Sequence, residues 1–205
     1  DDALSEDMPP ARLHWMLADR ERCLVVESVR EGIKVYEDPI GILTNNPPFE
    51  YHRMNLNNYL SVTAGYPQQR FSQWGNGEKD LCLKPYSQGM GGIGLPGDYS
   101  SASRFVKAAF LKWNSVCESN EEENISQFFH ILDSVAMLRG AVVTQDGKYD
   151  ITTYSCCVNA DTGTYYYKTY GNSRINAVDM RNVNLDGNMP AIYPIETGTN
   201  IRKIN

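Results

Sequence analysis

The stretch LHWMLADRERCLVVESVREGIKVYE, residues 13–37, decides the fold class. Leu13, Trp15 and Leu17 fall at every second position, the period of a half-buried strand. Asp19, Arg20, Glu21 and Arg22 then read as a polar turn. Residues 23–28, CLVVES, and residues 32–36, GIKVY, are two further runs rich in β-branched side chains. Connections this short belong to hairpins, so the three runs predict an antiparallel meander.

Outward from this core the pattern changes twice. Upstream, residues 1–10, DDALSEDMPP, are acidic, end in proline and read as an irregular lead-in without the features of a signal peptide. Downstream, residues 41–44 read as one more extended piece, ended by Asn45-Asn46-Pro47-Pro48, where each proline disfavours helix at the residue before it. Residues 65–100 are rich in Gly, Pro, Gln, Ser and Asn and read as long surface loops. Two helices follow. Residues 103–116 place Phe105, Ala108, Ala109, Leu111 and Trp113 at helical spacing, with Ser100 or Ser101 as the cap. Residues 121–138 place Ile125, Phe128, Phe129, Leu132, Val135 and Ala136 on one face, with acidic residues at the start and Gly140 as the C-cap. Residues 149–158, 164–170 and 174–180 return to strands, the first two joined by a hairpin turn at Asp161-Thr162-Gly163. Strands, two helices and strands again, with hairpin links, give the α+β class. No repeat, low-complexity tract or domain boundary divides residues 1–205.

Composition narrows the function classes. With 41% hydrophobic and 21% charged residues, the 205-residue chain is globular rather than disordered. A net charge of -6 argues against nucleic acid as the partner, since phosphate binding needs clustered Lys and Arg. No apolar run approaches the ~20 residues that span a bilayer. The five cysteines, Cys23, Cys82, Cys117, Cys156 and Cys157, are odd in number, irregularly spaced and without a CxxC pair. They read as packed thiols in a reducing cytoplasm rather than as a disulfide framework or a zinc site. Cys156 and Cys157 point to opposite faces of their strand, which is poor geometry for a shared metal. Neither a metal nor a cofactor is expected.

Individual motifs each carry a plain reading and a functional one. Gly89-Met90-Gly91-Gly92-Ile93-Gly94 has the letters of G-x-G-x-x-G, but Pro96 and Gly97 follow where a nucleotide site needs a helix. The glycines read instead as a tight loop that approaches another backbone. His130 and Asp133 lie three apart on a helix, beside Phe128, Phe129 and Ile131, and His130 reads as a buried or half-buried structural histidine. Leu4 and Met8 are apolar residues in a polar lead-in, either loop packing or the wall of an apolar pocket. Arg104 falls in a first helical turn, where a cation opposes the helix dipole at roughly 0.3–1 kcal/mol. Either Asp98 in a structural ion pair or a catalytic or substrate anion has to compensate it. Asn45 ends the extended piece, where an amide bonds local backbone or aims a donor at a reacting carbonyl.

Longer motifs are more specific. Leu13-His14-Trp15, VVES at 25–28, VYEDPIGILTNNP at 35–47, GMGGIGLPGDYSSASRFVKAAF at 89–110, QFFHIL at 127–132, TTYSCC at 152–157, YYYKTY at 165–170 and INAVDM at 175–180 together resemble the conjugated bile salt hydrolases of the choloylglycine hydrolase family. The penicillin V acylases of that family share LPGD, SRF-like and FHIL segments. The resemblance implies an N-terminal nucleophile hydrolase, an αββα sandwich of two stacked antiparallel sheets. It implies hydrolysis of the amide that joins a bile acid to glycine or taurine, by a mature N-terminal cysteine whose α-amino group shuttles the proton. It also implies a bacterial, cytoplasmic homotetramer with no cofactor, no metal, no nucleic acid and no membrane. Asn45 then matches the asparagine near the oxyanion and Arg104 the active-site arginine. Leu4 and Met8 match apolar positions of the bile acid pocket, where each fully buried side chain contributes ~1.5–3 kcal/mol. Residue 1 is Asp1, and none of the five cysteines matches the nucleophile. The chain is therefore expected to be the C-terminal part of a single family domain, 1–205, incomplete because the N-terminal strands are absent and inactive alone. Two further expectations stand beside it: a penicillin V acylase, and a non-catalytic remnant that binds a sterol-like ligand or a partner chain.

Overall fold

A computed structural model describes residues 13–68, 83–199 and 201–205. The chain forms two compact units, Asp1–Asn114 and Ser115–Asn205.

In the first unit the meander forms as its alternation requires. Strands β1 (His14–Ala18), β2 (Cys23–Val29) and β3 (Gly32–Glu37) make an antiparallel sheet in the order β1-β2-β3. The register pairs Met16 with Val25 and Val25 with Tyr36 on one face, and Trp15 with Val26 and Val26 with Val35 on the other. The first face is covered at its centre: Val25 packs with Phe49 and Phe105, and Tyr36, Ile40, Ile42, Leu43 and Leu56 close around them, while Met16 at the edge is 46% exposed. The opposite face is open, with Trp15 48%, Leu17 57%, Val35 61% and Ile33 76% exposed.

Two helices carry the covering side chains. Helix α1 (Phe49–Asn55) was not legible in the sequence; it follows Pro48, whose φ of -58° suits a helix entrance. Helix α2 (Ser101–Asn114) starts and ends two residues before the sequence expectation. Ser100 is its cap: its carbonyl accepts from Arg104 N at 2.9 Å and its Oγ from Ser103 N at 3.3 Å. The extended piece expected at 41–44 is not a strand. The buried Asp38 carboxylate instead accepts from the backbone N–H groups of Ile40, Gly41 and Ile42 at 2.9, 2.9 and 3.0 Å, and so winds residues 38–42 into a turn. Lys112, in the last turn of α2, donates to the carbonyls of Ile40 and Gly41.

The glycine loop holds no nucleotide-type helix. Residues Met90–Gly92 form a single 3-10 turn, entered through Gly89 at φ +78°. Gly91 is buried, and a Cβ there would meet the backbone carbonyls of Gly65 and Thr63. Close backbone approach is thus the reason for glycine, as the sequence suggested.

The second unit has helix α3 (Glu121–Asp133) and strands β4 (Tyr154–Asn159), β5 (Thr164–Thr169) and β6 (Asn176–Asp179), antiparallel in the order β4-β5-β6. Asn120 caps α3 by accepting from Glu123 N at 2.8 Å. The helix ends at Asp133 with Ser134 as its cap, so Gly140 is not the C-cap expected; it serves a later turn at φ +91°. Glu121 ties α3 to the β4–β5 hairpin, accepting from Asn159, Thr162 and Tyr166. His130 is exposed, contrary to the expected burial, because the inward position next to it belongs to Phe129. Its helical neighbour Asp133 pairs with Lys168. Among the described residues, two antiparallel sheets and three α-helices make the chain α+β, as expected.

Candidate functional site

Asn45 and Arg104, 59 residues apart, meet in the first unit: Arg104 Nη2 donates to Asn45 Oδ1 at 2.6 Å. A guanidinium has donors only, so the amide atom that faces it is the oxygen. Asn45 is an exposed residue, and its NH2 end is the end not taken by the guanidinium. Arg104 Nε also donates to the Tyr99 carbonyl at 3.1 Å, which fixes the guanidinium plane at a second point.

The sequence asked what compensates a cation at the start of α2. With Ser100 as the cap, Arg104 is the fourth residue of α2, and its side chain reaches the Asn45 amide oxygen and the Tyr99 carbonyl. The Asp98 carboxylate is engaged elsewhere: it accepts from Ser100 N at 2.8 Å and from Ser103 Oγ at 2.6 Å. Hydrogen bonds from Ser100 and Ser103 hold its pKa down to about 2. A carboxylate at this helix start also complements the dipole.

The backbone of Asn45 is held as firmly as its side chain. Its carbonyl accepts from Ser101 Oγ at 2.6 Å and from His52 Nε2 at 3.0 Å. A carbonyl only accepts, so Nε2 carries the imidazole proton. Thr44 Oγ1 donates to the Ser101 carbonyl at 3.1 Å and closes the ring of contacts. His52 is fully buried and stacks on Phe105, with ring centroids 4.8 Å apart and planes 12° from parallel. Its Nδ1 has no hydrogen-bond partner among the described residues. An unpaired buried polar atom costs ~1–3 kcal/mol, whereas one hydrogen bond returns ~0.5–1.5 kcal/mol. Neither Ser101, read only as a possible cap, nor His52 was legible as part of a site.

Asn45 also lines a cleft of about 540 Å³, together with His14, Glu27, Arg30 and Pro48 among others. Glu27 is a buried carboxylate in which Oε1 and Oε2 accept from Phe49 N at 3.0 and 3.1 Å. His14 Nδ1 lies 3.2 Å from Glu27 Oε1. Glu27 therefore anchors the start of α1, four residues after Asn45, to the central strand.

Leu4 and Met8 lie outside the described residues. Two of the thiols, Cys157 and Cys23, carry the wrong electrostatics for a nucleophile. Burial pushes the Cys157 thiol up to about 11, and burial followed by the Asp38 charge raises Cys23. Among the described residues no group of three or more His, Cys, Asp or Glu side chains is placed to hold a metal ion. No described helix is long and apolar enough to cross a membrane.

Residues 3–193 match the family of linear amide C–N hydrolases, choloylglycine hydrolase family. The chain is 47% identical over 201 residues to the bile salt hydrolase/transferase of Lactiplantibacillus plantarum, covering 98% of this chain and 60% of that protein. A crystal structure of a cysteine-to-alanine mutant of conjugated bile acid hydrolase from Clostridium perfringens superposes with a TM-score of 0.85 at 39% identity, over 98% of this chain and 60% of that one. The penicillin V acylase of Agrobacterium tumefaciens matches at TM-score 0.55 and 18% identity, over 79% of this chain and 43% of the other, a likeness of fold alone. These neighbours carry the N-terminal nucleophile hydrolase fold that the sequence implied. The chain thus spans 60% of the length of these two bile salt and bile acid hydrolases.

Proposed function

This chain belongs to the choloylglycine hydrolase family of linear amide C–N hydrolases, and on that premise we propose that it is the larger, C-terminal part of an enzyme that hydrolyses glycine- or taurine-conjugated bile acids. The Arg104–Asn45 hydrogen bond carries this reading. It brings together the two positions expected to be catalytic, and it turns the donor end of the amide outward.

In this reading an N-terminal cysteine, supplied by sequence outside these 205 residues, attacks the amide carbonyl as its thiolate. The carbonyl oxygen becomes an oxyanion, and Asn45 Nδ2 donates to it. Because the donor is oriented before reaction, it stabilises the charge without reorganisation at the moment of attack. The C–N bond then breaks, and glycine or taurine leaves with a proton delivered by the cysteine's α-amino group. Water cleaves the resulting thioester to release the free bile acid and restore the thiol. Arg104 holds Asn45 Oδ1 and keeps a positive charge beside the reacting centre. Leu4 and Met8 line the steroid pocket in the complete enzyme. The raised thiols of Cys23 and Cys157 support a nucleophile from outside the chain.

The test is a pair of substitutions in the full-length enzyme. Asn45→Ala lowers kcat by roughly 10²–10³, the scale for loss of one oxyanion donor, and Arg104→Ala lowers kcat in the same direction. Both leave the melting temperature close to that of the unsubstituted protein. A normal kcat with a lowered melting temperature would return both residues to a structural role.

A further inference from the structure

We propose that Ser101 and His52 are positioning residues for the reaction: they hold the backbone carbonyl of Asn45 while Arg104 holds its side-chain oxygen, so that the amide NH2 is presented at one fixed point. The inference rests on the reading of Asn45 as the oxyanion donor and extends it to groups that do not touch substrate.

Asn45 is exposed and stands in an irregular connection, where a side chain ordinarily samples several rotamers. Three donors nevertheless converge on its two oxygens: Ser101 Oγ at 2.6 Å, His52 Nε2 at 3.0 Å and Arg104 Nη2 at 2.6 Å. Ser101 and Arg104 are three residues apart on α2 and so share a face. One rigid helix therefore grips both the main chain and the side chain of residue 45. His52 comes from α1, and its ring is clamped flat against Phe105, which α2 also supplies. The arrangement costs stability at His52. Among the described residues its Nδ1 is buried without a partner, and a buried acceptor left that way loses more than a single hydrogen bond returns. An apolar side chain at position 52 would fill the same space beside Phe105 without that loss. The histidine contributes one thing an apolar residue lacks, a directed Nε2–H on the Asn45 carbonyl.

The geometry is read first without substrate, in the full-length protein, from nitrogen-15 relaxation of the Asn45 side-chain amide. It is rigid in the unsubstituted protein and falls below an order parameter of about 0.6 in Ser101→Ala and in His52→Leu. Activity is read next with taurocholate. Ser101→Ala and His52→Leu lower kcat by roughly 10- to 100-fold with little change in KM, since a misplacement of about 1 Å costs on that scale. His52→Gln, which keeps a donor near the Nε2 position, recovers most of the loss. In an Asn45→Ala background Ser101→Ala costs no further kcat, because both act through one group. An Asn45 amide that stays rigid in both variants overturns the proposal, whatever the activity. So does a Ser101→Ala loss that persists in full without Asn45. A normal kcat in Asn45→Ala alongside a loosened amide defeats the oxyanion reading and, with it, the catalytic role assigned to Ser101 and His52.

Discussion

At the scale of single residues, the question is which polar atoms are aimed and which are merely satisfied. Asn45 is aimed, since a donor-only guanidinium takes its oxygen and leaves its nitrogen outward. Arg104→Lys sharpens the point. Lysine keeps the charge but lacks the planar fork that reaches Asn45 and Tyr99 together. Kcat in Arg104→Lys is therefore expected to stay nearer the alanine variant than the unsubstituted enzyme, and recovery to full rate would show that charge alone suffices. The thiols give a second residue-scale prediction. Cys117 is exposed, whereas burial lifts Cys157 to about 11. Iodoacetamide near neutral pH, followed by peptide mass mapping, is expected to label Cys117 well before Cys157. Equal labelling would mean that the second-unit sheet opens freely in solution. Sequence pattern located Asn45 and Arg104 only through family motifs, because each also fits a bland local role. His52 stayed invisible because its meaning depends on Phe105 and Asn45, which only tertiary packing brings to it.

At the scale of elements, the start of α2 organises the site. Ser100 caps the helix, Ser101 and Arg104 reach Asn45, and Asp98 holds Ser100 and Ser103 in place. The Asp98 pKa is depressed in the folded protein, from an ordinary 3.8 to about 2. The stabilisation it supplies is therefore fully present above 3.8 and is lost as pH falls through about 2. A carbon-13 titration of the Asp98 carboxyl is expected to show its midpoint near 2, with amide protection at 101–104 weakening over the same interval. A midpoint at 3.8 would mean that the two serines do not hold the carboxylate in solution. The strands of both sheets were legible because alternation and turn residues agree there, as in Trp15, Leu17 and Asp161 to Gly163, although β4 starts at Tyr154 rather than at 149 as expected. Helix α1 was not, since seven residues between Pro48 and a 3-10 turn give too short a period to read. The piece at 41–44 was misread as extended because the turn that leads into it, at 38–42, is imposed by one buried carboxylate and not by local propensity.

At the scale of the molecule, burial bears on whether the chain is a domain in its own right. Among the described residues the buried hydrophobics are Val25, Phe49, Phe105, Val106, Ala108 and Phe129, while Trp15, Leu17, Ile33 and Val35 leave one sheet face open. Open apolar faces and unpaired strand edges recruit other chains. Sedimentation of the 205-residue chain at several concentrations is expected to show aggregation or, when a separately expressed N-terminal piece of the full-length protein is added, tight association with it. A monodisperse monomer with a cooperative melt would make the chain a domain in its own right. The central claim concerns chemistry, and the most direct test is turnover of taurocholate, glycocholate and penicillin V, side by side, by the full-length protein and by these 205 residues alone. The account predicts that the full-length protein releases taurine and glycine far faster than it opens penicillin V, that a thiol reagent abolishes the release, and that the 205-residue chain releases neither. Thiol-sensitive turnover by the chain alone, or a full-length protein that leaves both bile salts intact, would contradict it.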